Sequence, residues 1–414
     1  PTPTLPPGLI LPPVIAELQG WPPLPAPLYF VREGRLWRWP TSGGNLEQLA
    51  PHDDAETLTR YALTPDERVL VYHNTAGQLR HLNLITGELH TIPTAGLLRP
   101  ESFALTPDGQ TLLYLAWGLT PDSAITPPLT AAEGTLFALD LTDPQRLQRL
   151  LGICRSGEDA GGLPCAGPWL DPTGARVAYL DREGLWIAAL AAEEESEAQL
   201  LLPAEAQRWH FEAWSPDGAW LLLRSEGAAG EMLQLVESES GNVTTLPHTQ
   251  CGATCHAMAR WGADGTLWVG VEDVPQERGL LYRAIVQAGA PVSITQQLGS
   301  ASGDIVRPSA LAPFSEIAVT FLHRGCVACT RPEAGLYLWR DDGGVVPVAL
   351  IPAPQGETLW IADGSGFLYL EHTGEAPHPA LLGLTATGAL WDVRAALQET
   401  SQLQWGSPPQ PSAP

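Results

Sequence analysis

Seven short stretches of this chain share one pattern: an apolar run, a turn built on Pro, Asp or Gly, and a second apolar run rich in β-branched and aromatic residues. The clearest is "FEAWSPDGAWLLLRS" (211 to 225). Its relatives are "YALTPDERVLVYH" (61 to 73), "FALTPDGQTLLYLA" (103 to 116), "PWLDPTGARVAYLD" (168 to 181), "ARWGADGTLWVGV" (259 to 271), "SALAPFSEIAVTFL" (309 to 322) and "LWIADGSGFLYLE" (359 to 371). Pro presets φ, Asp accepts a hydrogen bond from its own local backbone and Gly enters positive φ without steric cost, so each stretch reads as strand, tight turn, strand. The residues aligned with Asp217 fall at 66, 108, 173, 217, 264, 314 and 363, a recurrence of about 40 to 65 residues.

Each turn is followed by a second hairpin, as in "GQLRHLNLITGELHTIP" (77 to 93), "EMLQLVESESGNVTTLP" (231 to 247) and "GLYLWRDDGGVVPVALI" (335 to 351). Four strands in each repeat give a sheet that buries both faces only when neighbours pack on it, which is the signature of an all-β propeller. The segment 28 to 51 supplies three strands without an inner one, and 401 to 409 ("SQLQWGSPP") reads as an inner strand with no blade after it. The expectation is eight four-stranded antiparallel blades, with one blade completed by strands from both ends of the chain. Seven is the alternative if 353 to 400 is irregular.

The residues that carry the period also carry a resemblance. Trp214-Ser215-Pro216-Asp217-Gly218, echoed by Leu105-Thr106-Pro107-Asp108-Gly109 and Trp261-Gly262-Ala263-Asp264-Gly265, resembles the repeat of TolB-type, WD-repeat-like bacterial propellers, found also in the propeller domains of prolyl oligopeptidases. It extends from about residue 28 over nearly the whole chain and implies architecture only. There is no Gly-x-Ser-x-Gly elbow and no room for an α/β domain, so peptidase activity does not follow. A phosphate loop, a dinucleotide fingerprint and a His-Glu-x-x-His motif are also missing from the sequence.

Residues 1 to 27 are dominated by proline and read as an extended stalk or linker, with packing of "LILPPVIAEL" on the outside of the ring as the alternative. Residues 28 to 409 form the propeller, and 410 to 414 a Pro-rich tail. The first residue is Pro, which suggests a processed or trimmed chain. No run of eighteen apolar residues exists to span a membrane as a helix.

A formal net charge of -24 opposes binding to nucleic acid or anionic lipid. All 22 basic residues are Arg, so lysine chemistry is excluded. The six cysteines form three near neighbours, Cys154 with Cys165, Cys251 with Cys255, and Cys326 with Cys329, which suits disulfides in an oxidising, extracytoplasmic compartment. Two other chemistries fit part of the set. "CGATCH" is one residue longer than a haem-attachment motif and would use Cys251, Cys255 and His256. Zinc would take Cys251, Cys255, Cys326 and Cys329. A redox pair at 326 and 329 lacks a βαβ context. The expectation is no cofactor and no metal.

The cysteine pairs and the long connections 117 to 134, 152 to 166 and 272 to 279 all belong to loop types that share one face of a propeller, while the other face receives minimal turns. Inner-strand starts offer Arg60, Glu101, His210, Glu212, Arg307 and Glu357 as binding candidates near the axis, against the plainer reading that they hold water and one another. Three functions remain open: a non-catalytic surface or periplasmic propeller that binds a protein or glycan on its loop-rich face, a channel-site enzyme acting on polysaccharide, and a structural subunit of a surface assembly.

Overall fold

The computed structural model describes residues 15–406 except 52, 54–55, 65, 95–96, 118–132, 143–147, 156–164, 191–197, 205–207, 228–229, 251–254, 263, 274–277, 288–291, 300–303, 312–316, 324–334, 340–344, 351–355, 362, 373–376 and 385–388. These residues form eight sheets, seven of four strands and one of five.

Blade 1 is assembled, from the inside out, from Thr400–Trp405, Leu28–Arg32, Arg35–Trp39 and Glu47–Ala50. Its inner strand comes from the far end of the chain and pairs antiparallel with the first hairpin, Leu28 opposite Trp405 and Arg32 opposite Thr400. Blades 2 to 7 follow in chain order and begin with inner strands Leu58–Leu63, Leu97–Leu105, Ala166–Leu170, Arg208–Trp214, Cys255–Trp261 and Asp304–Leu311. Blade 8 begins at Gly356–Trp360.

Blade 8 corrects the expectation of equal antiparallel blades, since only seven sheets have that composition. Outside its fourth strand, Ala389–Asp392, lies Ile15–Glu17, paired in parallel with Ile15 opposite Leu390 and Glu17 opposite Asp392. The physical reason is local. Residues 14 to 21 are the longest proline-free stretch of the first 27, so this piece alone keeps the run of N–H groups that an edge strand must donate. The chain then crosses to blade 1, where the Trp39 indole donates to the Pro22 carbonyl at 2.9 Å and the Trp21 ring meets Trp39 edge-on at 4.6 Å. Residues 15 to 27 therefore lie on the ring, and the stalk reading is left to residues 1 to 14, outside the described residues.

Alternation within each strand sends apolar side chains to both faces of a blade, so the core is a series of seams between blades. Leu63, Leu70 and Tyr72 of blade 2 pack on Tyr29 and Leu36 of blade 1, and Val71 and Leu79 pack on Phe103 and Leu112 of blade 3. Further seams join blades 3 and 4 around Leu136 and Val177, 4 and 5 around Leu180 and Leu223, 5 and 6 around Leu235 and Val269, and 8 and 1 around Leu368 and Phe30. Blade 7 meets its neighbours through its inner strand, which lies against the strands of blade 6 and against Gly356–Trp360 of blade 8.

The tight turns show why one pattern recurs. In blades 3 and 5 the hydroxyl of Thr106 or Ser215 donates to Asp108 or Asp217 at 2.6 Å, while the same oxygen accepts the N–H of Thr111 or Trp220 at 2.9 Å. The aspartate also accepts the N–H two residues on, from Gln110 or Ala219, at 3.0 Å. Blade 4 reaches the same bonding with the two residues exchanged: Asp171 stands first, and Thr173 donates to it at 2.9 Å. In blade 6 the hydroxyl moves behind the aspartate, Thr266 donating to Asp264 at 2.6 Å. Asp66 and Asp108 are held below the usual carboxylate range chiefly by their Thr hydroxyls. At Asp217 and Asp264 burial is the largest single influence and opposes the shift, but it is outweighed by the sum of the hydrogen bonds from Ser215 and the Ala219 N–H at the first, and from the Thr266 hydroxyl and N–H with the Arg283 charge at the second.

Candidate functional site

Opposite these turns lie the connections that lead into each inner strand and those that join the second strand to the third. Cys154, in the outer strand Gln148–Arg155 of blade 3, forms a disulfide with Cys165, one residue before the inner strand of blade 4. It closes the connection between blades at its base, where both cysteines are buried against Leu136, Leu151 and Tyr179. For the pairs Cys251 with Cys255 and Cys326 with Cys329, residues 251, 326 and 329 lie outside the described residues, as does 118–132, so the haem, zinc and second and third disulfide readings stay where the sequence left them. Among the described residues no group of three or more His, Cys, Asp or Glu is placed to hold a metal ion.

Blade 5 carries a charged cluster at this end. Its inner strand sets Arg208 opposite Glu226 and His210 opposite Arg224, and the third strand brings Glu231 opposite Glu226. A register shift between Phe211 and Ala213 turns Glu212 within reach of the same group. Arg224 then donates from Nε to Glu212 at 2.7 Å and from a terminal nitrogen to Glu231 at 3.1 Å. Burial would lower the Arg224 pKa, but the two carboxylates outweigh it and hold the guanidinium above its ordinary value. His210 Nε2 lies 3.4 Å from Glu226, with the histidine about half exposed. The cluster sits above the seam to blade 6, because Arg224 and Glu226 alternate with residues on the far side and continue the face of Leu222.

Of the six sequence candidates, the structure brings His210 and Glu212 into this cluster. Arg60 stands on the inner strand of blade 2 with its guanidinium 5.8 Å from the Phe103 ring centre of blade 3. For Glu101, Arg307 and Glu357 only the backbone is described, each within its inner strand as expected.

A second network, which the sequence reading missed, fixes the loop end of blade 2. Glu56, mostly buried, accepts from Asn74 at 2.5 Å and from Arg80 at 3.1 Å, and Tyr72 donates to its other oxygen at 3.5 Å. Burial and then the Glu56 charge push the Tyr72 hydroxyl up to about 12. The available signal was polar residues closing an apolar run as it nears a turn, in "VLVYHNTAGQLR" and again in "WLLLRSEGAAGE". Chemically, both networks are sets of donors and acceptors paired with one another, which fixes side chains in place for contact.

The ring of four-stranded blades, with minimal turns on one face and fastened connections on the other, defines a β-propeller. Comparison with known structures agrees at the level of fold. The chain is similar to a eukaryotic initiation factor (TM-score 0.52, 12% identity, covering 93% of this chain and 99% of that one). It is also similar to the dihydro-heme d1 dehydrogenase NirN (TM-score 0.51, 15% identity, 99% and 78%) and to TolB from Acinetobacter baumannii (TM-score 0.38, 11% identity, 92% and 67%). No protein-family model and no curated protein matches the chain. At such identities the likeness is one of architecture, which is all that the resemblance of the repeat to TolB-type propellers implied.

Proposed function

We propose that this propeller is a non-catalytic, extracytoplasmic binding module that recognises a protein or glycan through its loop face. The observation that carries the reading is the contrast in how the two faces are held. On the turn face the described inner turns of blades 2 to 6 and 8 satisfy themselves with a hydroxyl and a carboxylate, whereas the loop face is fastened by the Cys154–Cys165 disulfide and by the Glu56 and Arg224 networks. Holding a contact surface rigid before it meets a partner lowers the entropy lost on binding. A disulfide also suits an oxidising compartment. Arg60, Glu101, His210, Glu212, Arg307 and Glu357 are the proposed contact groups nearest the axis. Residues 117 to 134, 154 to 165, 251 to 256 and 323 to 331 form the proposed rim.

The test is a screen of the intact chain on a glycan array and against a library of surface-protein fragments. It is repeated with 117 to 134 replaced by a Gly-Ser turn. Binding by the parent and at least a tenfold loss in the variant, at unchanged melting temperature, supports the reading. Equal binding by both overturns it. Turnover of a polysaccharide that is abolished by substitution of Arg60, Glu101, His210 or Arg307 would replace it with an enzyme.

A further inference from the structure

The seam between blades 4 and 5 contains three buried polar atoms that have no hydrogen-bond partner among the described residues: Trp209 Nε1, Ser225 Oγ and Gln234 Oε1. All three residues are more than nine-tenths buried, at 6%, 1% and 7% exposure. They belong to three adjacent strands of blade 5. Trp209 on the first is directly opposite Ser225 on the second, and Gln234 on the third is opposite Leu223, two residues along from Ser225. Residues paired in this way point to the same face and are near neighbours there, so the three side chains form one patch across the sheet. That face packs on Leu180 and Leu185 of blade 4 and on Ala166, next to the disulfide cysteine Cys165.

The three atoms are complementary in kind. An indole N–H only donates, a primary-amide oxygen only accepts, and a hydroxyl does both. Gln234 is already oriented, since its amide nitrogen donates to Thr245 Oγ1 at 3.2 Å and leaves the oxygen for the seam. An unpaired buried polar atom is costly, and native interiors leave few of them. Three on one face, able to be served together by a single group that accepts once and donates at least once, mark a site. The blade 4 side chains packed in this seam cluster are apolar, and among the described residues none bonds the three atoms.

We propose that the seam between blades 4 and 5 is a binding site for one small neutral molecule that both donates and accepts hydrogen bonds, held by Trp209, Ser225 and Gln234. Water is the smallest molecule of this chemistry, and buried waters commonly make about three such bonds. A hydroxylated solute is the other source.

The test uses the intact chain and two variants: Ser225→Ala, which removes one buried oxygen, and Trp209→Phe, which removes the indole N–H together with part of the ring. With the site occupied, Ser225→Ala lowers the melting temperature by roughly 2 °C, and Trp209→Phe by more, since its lost ring volume adds to the lost bond. The double variant then costs clearly less than the two together, because both residues rely on the same molecule although neither bonds the other. A dry seam gives the opposite sign for Ser225→Ala: removing an unpaired buried hydroxyl leaves the melting temperature unchanged or raises it, and that result overturns the proposal. Should Trp209→Phe fail to fold, the sign for Ser225→Ala decides alone. Native mass spectrometry separates the sources: an added mass lost in Ser225→Ala identifies a solute, and a long-lived water signal in proton relaxation dispersion without added mass identifies water. Neither signal in the parent overturns the site.

Discussion

The two faces of the ring solve the same problem, how to end a strand and start the next, by opposite means. On the turn face the solution is local and repeated. A hydroxyl and a carboxylate within a few residues satisfy the backbone, and a residue at positive φ completes the corner: Gly109, Gly174, Gly218, Gly265 and Gly364 at 70 to 80°. On the loop face the solution is distant and different in each blade, with a disulfide between blades 3 and 4, a buried glutamate in blade 2 and an arginine between two carboxylates in blade 5. The turn face is therefore built for sameness and the loop face for distinct surfaces on one scaffold, which is how loops on rigid frames come to carry binding.

The disulfide offers the largest way to test this contrast. Replacing Cys154 and Cys165 together by Ser frees a loop closed over a separation of 11 residues, at a cost of about 3 kcal/mol by chain-entropy reckoning. The loss is read from denaturant unfolding. If the bridge is a loop-face device, protease sensitivity rises first within 156 to 164, while hydrogen exchange at the turns of blades 3 and 4 stays as before.

A smaller effect comes from Gly218→Ala, expected to cost about 1–2 kcal/mol because an L-residue is forced into the left-handed region. The added methyl would also meet an Arg176 terminal nitrogen at 3.1 Å, on a side chain that crosses from blade 4 to bond the Gly218 carbonyl. Binding at the loop face should be unaffected. A parallel loss of affinity would show that the two faces are coupled.

The smallest effect is on acid stability. Asp66, Asp108, Asp217 and Asp264 have folded values below the roughly 3.9 of an unfolded aspartate, so they contribute stability above that pH and lose it as pH falls through their lowered values. Melting temperature should therefore drop below about pH 4, and Asp108→Asn should make that acid limb slightly shallower. An unchanged limb would mean that the Thr106 hydroxyl alone holds the turn.

The same contrast explains what the sequence made legible. Turn positions could be read because Pro, Asp and Gly act within four or five residues, and the Cys154–Cys165 pair because its partners are close in the chain. Even there the reading weakened at blade 4, where Asp171 and Thr173 exchange places and the motif no longer matches by letter although its bonds are the same. Arg224 and Glu56 were missed since their meaning depends on partners in neighbouring strands, which only register reveals. Glu67 is a mixed case. It occupies the corner at φ 58° where other blades have Gly, and its carboxylate accepts the Tyr29 hydroxyl of blade 1 at 2.6 Å, a contact that no local pattern announces. Ile15–Glu17 was obscured by the prolines around it.

The pairing of Leu28–Arg32 with Thr400–Trp405 has a consequence in time. During synthesis the first of these strands emerges early, and its inner partner only after nearly all of the remaining blades. At ordinary elongation rates of about 5–20 residues per second that delay is on the order of tens of seconds. Throughout it, Leu28, Tyr29 and Phe30, fully buried in the finished molecule, belong to a sheet with an open inner edge. The nascent chain must either shield that edge or bind a holdase there, and the yield of native protein in a cell should depend more on that interval than on the stability of the completed ring.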